Sequence, residues 1–236
     1  MRTIFVSALL VSVSSVALGQ TNESSESTYS DYHAVRPESS EYFAFEFGVG
    51  QYRPDVGNSA FDTVFGDDFG PALRLELDVV PVRIPYLGRV GVALGAGWSK
   101  HSAGACTTIT CSQRADENIT MRIYPLNVMG VLRVDVLARE FNIPLLLTAK
   151  FGLDAVVYDI NTGSRDEARN VSFGVRWAVQ AALELDFIAP RRAAGLDDEW
   201  GINHSFIFGE IFGSNAGSKL NIGTNLSFTA GLGLSF

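Results

Sequence analysis

The last twelve residues, Asn225 to Phe236, alternate without a break. Leu226, Phe228, Ala230, Leu232, Leu234 and Phe236 fall on one parity; Asn225, Ser227, Thr229, Gly231, Gly233 and Ser235 fall on the other. Side chains of a β-strand point to opposite faces with period 2, so this stretch is an oily face backed by a small, polar one. Such a strand needs a non-aqueous medium on one side and a polar space on the other. A closed β-barrel crossing a membrane supplies both.

The same pattern recurs from Glu41 onward in segments long enough to cross a bilayer, which takes roughly 9–11 tilted residues. They are Glu41–Arg53, Ala72–Val80, Arg89–Lys100, Asn118–Val136, Ile143–Tyr158, Val171–Phe187, His204–Phe212 and the terminal run. The reading is all-β: an eight-stranded antiparallel up-and-down transmembrane β-barrel over residues 41–236. Two segments are irregular. In Asn118–Val136 the apolar series changes parity at Pro125. One extra residue there predicts a β-bulge, since proline cannot donate to the ladder; a turn at Tyr124-Pro125 is the alternative. In His204–Phe212 both faces are apolar, so its orientation stays open.

Met1–Gly19 reads as a secretory signal peptide, with Arg2, an apolar core from Ile4 to Val11 and small residues at Ala17-Leu18-Gly19. No cysteine follows that point, so a lipid anchor is not expected. Residues 20–40, rich in Ser and Glu, read as a flexible periplasmic lead-in. The net charge of −8 becomes −9 once Arg2 leaves with the signal, which argues against a nucleic-acid partner. Cys106 and Cys111, in an exported chain, are expected to form a local disulfide worth about 2 kcal/mol. A metal pair is the alternative, but no His or carboxylate cluster accompanies them.

Alternation alone does not separate a membrane barrel from a soluble one with its oily face turned inward around a ligand. The polar face here is mostly Gly, Ala and Ser, which suits a narrow interior. Its charges come in both signs: Glu46, Glu76, Asp78, Asp135, Asp154, Glu184 and Asp186 against Arg74, Arg122, Arg133, Lys150 and Arg176. Such a set can pair inside an eight-stranded lumen filled by side chains. Trp98, Tyr158, Trp177 and Phe187 fall near strand ends, where an aromatic girdle is expected. Parity puts long polar loops outside near residues 54–70, 101–117, 159–170 and 213–224. Turns near 81–88 and 137–142 and a connection over Ile188–Asn203, with a short helix around Arg191–Trp200, fall on the periplasmic side.

Taken together these residues resemble the small outer-membrane barrels of the OmpX- and OmpA-like class. In that class the ending Gly231-Leu232-Gly233-Leu234-Ser235-Phe236 is similar to the signal read by the barrel-assembly machinery, with Leu232, Leu234 and Phe236 as its apolar positions. The runs Phe47–Asp55, Ile143-Pro144-Leu145 with Lys150–Leu153, and Trp200–Ser205 resemble an uncharacterised myxobacterial family of such barrels. That resemblance covers nearly all of the mature chain and implies no known activity. It implies the outer membrane of a Gram-negative bacterium, with outer-membrane lipid and lipopolysaccharide as surroundings and an oligomeric state left open.

For function, the expectation is a barrel without catalysis, in a structural or surface-interaction role. A narrow channel for small solutes is the runner-up. The third reading is a lipid A-modifying enzyme. Ser214-Asn215-Ala216-Gly217 is similar to the serine motif of the lipid A deacylases, but Phe212 stands in the slot of their histidine, so the nucleophile lacks its base. His204, with Ser205 and Glu210 nearby in sequence, is expected at the opposite rim as a turn residue or cap. His33 and His101 are expected in the lead-in and an outer loop. No cofactor motif is present. Acidic loop residues (Asp62, Asp67, Asp68, Asp166, Glu167) could meet divalent cations but read as solvated.

Overall fold

The computed structural model describes residues 41–56, 60–66, 70–108, 111–162, 168–188, 195–197, 199–217 and 221–236. The signal and lead-in lie outside these residues, as do Asp67, Asp68, Asp166 and Glu167. Eight strands follow in order: β1 (Phe43–Gln51), β2 (Pro71–Ile84), β3 (Gly88–Cys106), β4 (Arg114–Val134), β5 (Leu145–Thr162), β6 (Ala168–Glu184), β7 (His204–Ser214) and β8 (Thr224–Ser235). Each pairs antiparallel with the next, and β8 returns to β1 to close one barrel. At the seam the Phe236 amide donates to the Phe43 carbonyl (2.8 Å) and the Tyr42 amide to the Phe236 carbonyl (2.7 Å). Closure leaves no unpaired edge, the condition for placing strands in hydrocarbon.

The parity read from the terminal segment holds around the ring. Phe151, Leu153 and Phe173 point outward, 64%, 68% and 71% exposed, while Glu76, Lys150 and Arg176 point inward at 2%, 3% and 1%. A soluble barrel would show the reverse. An apolar exterior around a charged interior is the construction of an outer-membrane barrel, and this chain is one. Trp98 and Trp177 face outward on β3 and β6, and Phe187 lies exposed beyond β6. Tyr158 does not belong to the girdle: it points inward and is buried.

Several strands differ in extent from the sequence reading: β2 runs on to Ile84 and β3 to Cys106. The strands β3 to β6 run 17 to 21 residues, far past the bilayer core, so the connection expected over 101–117 shrinks to a hairpin tip. The Cys106–Cys111 disulfide staples that tip, with Cα atoms 4.7 Å apart. His101 is consequently a buried strand residue rather than a loop residue. A helix α1 (Ala60–Phe65) stands in the β1–β2 connection, and α2 (Val136–Phe141) fills the β4–β5 turn. In the β6–β7 connection residues 195–197 and 199–200 are helical.

Pro125 carries no bulge. The β4–β5 register runs unbroken from Ile119↔Thr162 to Val134↔Leu147, and β3 pairs in one register on both sides of Tyr124-Pro125. The parity change has another cause: Met121 and Ile123 face inward, so the lumen itself turns apolar above that level. A register shift does fall at a proline, but in β2, between Val79 and Val82 around Pro81. The orientation of β7 also resolves. Phe206, Phe208, Glu210 and Phe212 face the lumen; Ile207 and Ile211 face out.

Candidate functional site

The lumen is filled by three stacked layers, and what stacks them is the small inward face of the strands. A methyl group at Gly233 would collide with the Phe206 ring, and one at Gly48 would press on Phe208 at 3.3 Å. Glycines on β8 and β1 thus make room for the aromatic rings of the neighbouring β7 to lie across them.

The outer layer is apolar. Tyr52, Met121, Ile123, Val156, Tyr158, Phe212, Ala216 and Ile222 form a buried cluster with Phe61 of α1. The Tyr52 hydroxyl donates to the Ile222 carbonyl at 3.0 Å, which satisfies its one buried donor. Helix α1 lays Phe61 edge-on against His101, with centroids 4.8 Å apart, and Phe65 sits 6.0 Å from the same ring. Ser99 Oγ lies 3.3 Å from His101 Nε2.

The middle layer is ionic. Lys150 Nζ lies 3.0 Å from Glu46, 3.3 Å from Glu210 and in contact with Glu76. Arg74 bridges Glu76 and Glu210. Arg133 lies 2.8 Å from Asp78 and 3.5 Å from Glu46, and Gln180 donates to Glu46 at 3.0 Å. Arg176 lies over the Phe212 ring, 3.8 Å from its centroid, and 3.8 Å from Glu210. Each buried ion loses hydration worth several kcal/mol, and only a paired, hydrogen-bonded arrangement offsets that. Glu46, Glu76 and Asp78 bring carboxylate oxygens within 4.8 Å of one another, a spacing that suits a cation. Lys150 and Arg133 fill that role. Asp154 is buried two inward positions beyond Lys150 on β5, across from Asn127. A cavity of about 20 Å³, room for a single water, lies between Arg74, Asn127 and Arg176.

The periplasmic layer is a second ionic set under an apolar floor. Phe206, Phe208, Ala44, Leu146 and Ala182 pack together, with Ala138 of α2 against them. Glu41, just before β1, collects three cations: Arg89 at 3.0 Å, Arg139 of α2 at 3.2 Å and His204 at 2.8 Å. Arg139 also reaches Glu184 at 3.0 Å, and Arg89 reaches Asp135 at 3.6 Å. The other ring nitrogen of His204 contacts Asp186. Burial alone would raise the Glu41 carboxyl. Its hydrogen bond and charge contact with His204, then Arg139 and Arg89, reverse this and hold it down to about 2 from an ordinary 4.5.

A carboxyl depressed in the folded state stabilises the fold fully above the unfolded value and loses that contribution as pH falls through the folded one. Glu41 therefore adds on the order of 3 kcal/mol above pH 4.5, fading toward about pH 2. Acid titration of refolded protein in micelles is expected to show a stability drop across that window. Glu41→Gln should remove most of its slope; an unchanged acid limb would mean that Glu41 is not the hub.

The expected lumen charges thus separate. Glu46, Arg74, Glu76, Asp78, Arg133, Lys150 and Arg176 meet in the middle layer; Asp135, Glu184 and Asp186 sit at the periplasmic rim. Arg122 is elsewhere: it faces outward on β4 and lies 3.6 Å from Asp159. Sequence reasoning missed Glu41, Arg89, Arg139, Gln180 and Glu210 as members. It also treated His204 as a turn residue, whereas His204 opens β7 with a carboxylate on each ring nitrogen. That arrangement calls for two N–H donors and leaves no lone pair to accept a proton. Ser205 Oγ reaches Asp186 at 3.5 Å, and Glu210 lies five residues further along β7 in the middle layer. Ser214 Oγ accepts the Ala216 amide at 3.2 Å, Asn215 Oδ1 accepts the Val175 amide at 2.7 Å, and Phe212 holds Arg176, so the serine motif builds a turn.

No family model matches the sequence, and no curated protein matches it. Among solved structures the chain is similar to Neisserial surface protein A, with 10% identity over 83% of this chain and 97% of that one, at a TM-score of 0.48. It is similar to the N-terminal β-barrel domain of Pseudomonas aeruginosa OprF over the same shares, with 10% identity and a TM-score of 0.46. The outer membrane protease OmpT from Escherichia coli matches at 9% identity over 83% and 94%, with a TM-score of 0.34. These are likenesses of fold and no more.

Proposed function

We propose that this chain is a non-catalytic structural barrel of the outer membrane, plugged by its own side chains, that presents its outer hairpins to partners at the cell surface. The observation that carries the reading is the middle ionic layer, sealed between an apolar cluster above and an apolar floor below. An ion crossing the lumen would have to break Lys150 and Arg74 away from Glu46, Glu76 and Glu210. Each separation leaves a buried charge unpaired, at a cost of roughly 3–5 kcal/mol. The runs Phe47–Asp55 and Trp200–Ser205 support a place among the uncharacterised myxobacterial barrels. Leu232, Leu234 and Phe236, on the closing strand, are what the assembly machinery would read.

Planar-bilayer recording of the refolded protein tests the plug. The expected result is a flat baseline under applied voltage, with only rare transient openings. Steady unitary steps would overturn the structural reading in favour of a narrow solute channel. An enzyme acting on lipid A lacks support in the geometry: among the described residues, neither Ser214 nor Ser205 has a histidine placed to take its proton.

A further inference from the structure

Four outward-facing residues lie side by side in one cross-strand row of the wall: Lys100 on β3, Arg122 on β4, Asp159 on β5 and Arg169 on β6. The pairing register joins them in series, Lys100↔Arg122, Arg122↔Asp159 and Asp159↔Arg169. With neighbouring strands about 4.8 Å apart, the row spans roughly 14 Å and, because the strands tilt by about 40°, climbs roughly 9 Å along the barrel axis across the headgroup zone. Asp159 is tucked between its two arginines, 13% exposed in its side chain, whereas Arg122 keeps 43% and Lys100 and Arg169 are exposed.

The level of the row is what gives it meaning. One outward step below it come Trp98, Tyr124, Val157 and Val171, and every outward position of β4 from there to Val134 is apolar or glycine. Eleven tilted residues from Val134 to Tyr124 cover roughly 25 Å of height, the thickness of the hydrocarbon band around such barrels. The band's other edge is marked by the short turn Pro85–Leu87, so the row stands at the end that carries the hairpin tips, facing the outer leaflet. Three cations against one carboxylate, at the height where acyl chains give way to headgroups, complement a headgroup bearing more than one phosphate.

We propose that the β3–β6 wall carries a binding site for a phosphorylated lipid of the outer leaflet, of the lipid A type, held by Lys100, Arg122 and Arg169 with its acyl chains against the apolar wall below. Arg122 then exchanges its contact with Asp159 for phosphate oxygens, which suits a planar, multidentate donor. The site rests on the membrane placement of the barrel and is independent of whether the lumen is plugged. A conducting protein would end the reading of the lumen and leave this one standing.

The test is a titration of the refolded protein in neutral-detergent micelles with bisphosphorylated lipid A, its dephosphorylated counterpart and inorganic phosphate, read by tryptophan fluorescence and thermal shift. Tight binding is expected for the bisphosphorylated lipid alone. The Lys100→Ala/Arg122→Ala/Arg169→Ala variant should bind about a hundredfold more weakly, at roughly fivefold per interfacial cation. Asp159→Asn should bind severalfold more tightly, a gain that damage to the fold does not mimic. Equal binding of the dephosphorylated lipid would reduce the site to an oily wall. An equal response to inorganic phosphate would make it a simple anion site. An Asp159→Asn variant that binds no better would remove the row from recognition altogether.

Discussion

Replacing Lys150 with Met is expected to lower the unfolding free energy by about 3–5 kcal/mol, the largest effect of any conservative lumen substitution. Lys150 has no exposed side-chain surface and answers three carboxylates, Glu46, Glu76 and Glu210, drawn from β1, β2 and β7. Methionine keeps the length and removes the charge, so the carboxylates are left facing one another with Arg74, Arg133 and Arg176 as their remaining cations. The check is a denaturant titration in micelles, followed by the mobility difference between folded and boiled protein on a gel. A variant carrying Glu76→Gln as well should recover much of the loss, because it removes the charge that Lys150 contacts most closely. Were Lys150→Met to cost less than about 1 kcal/mol, the lumen would have to be wet enough to screen the carboxylates, and the plug would fail with it.

How far that layer was legible in the sequence follows from parity. Glu46, Arg74, Glu76, Lys150 and Arg176 each interrupt an otherwise oily alternation, so their strand face follows from their neighbours. Glu210 obeys the same rule, but it shares its face with Phe206, Phe208 and Phe212, and three aromatic rings on the inward side hid the parity of β7. Arg89 is in phase with Gly91, Ala93 and Gly95, a signal that was present and not used. For Arg139 and Glu41 no periodic signal exists, because one stands on a short helix and the other precedes β1.

The misreadings at Pro125, Arg122 and Tyr158 share one physical cause. Reading the fourth segment with its oily parity outward requires a bulge at Pro125 and sends Arg122 inward. In the folded chain alternation passes through Pro125 unchanged, and it is the environment on each side that switches. Above that level the interior is apolar, so Met121 and Ile123 belong inside, and the exterior is aqueous, so Arg122 belongs outside. Tyr158 follows the same inversion on β5. Hydropathy reports the medium only while the medium on each face stays constant, and the strands β3 to β6 outlive the bilayer. Binary pattern was present throughout; what it does not carry is the level at which the medium on each face changes.

That boundary yields the second large expectation. The outward residues of β5 run apolar from Leu145 to Val157, and Phe151 is their midpoint, 64% exposed and register-paired with Gly130 and Trp177. If hydrocarbon surrounds it, Phe151→Arg places a guanidinium at the bilayer midplane and should cost about 2–4 kcal/mol in lipid vesicles. The same substitution at Val157, six residues higher and next to the charged row, should cost no more than about 1 kcal/mol. On a water-exposed wall neither change would exceed about 0.5 kcal/mol, and no dependence on height would appear. Folding both variants into vesicles under a denaturant gradient measures the difference directly. Equal costs at the two positions would contradict the bilayer placement on which the wall, the girdle and the outward Lys100–Arg122–Arg169 row all depend.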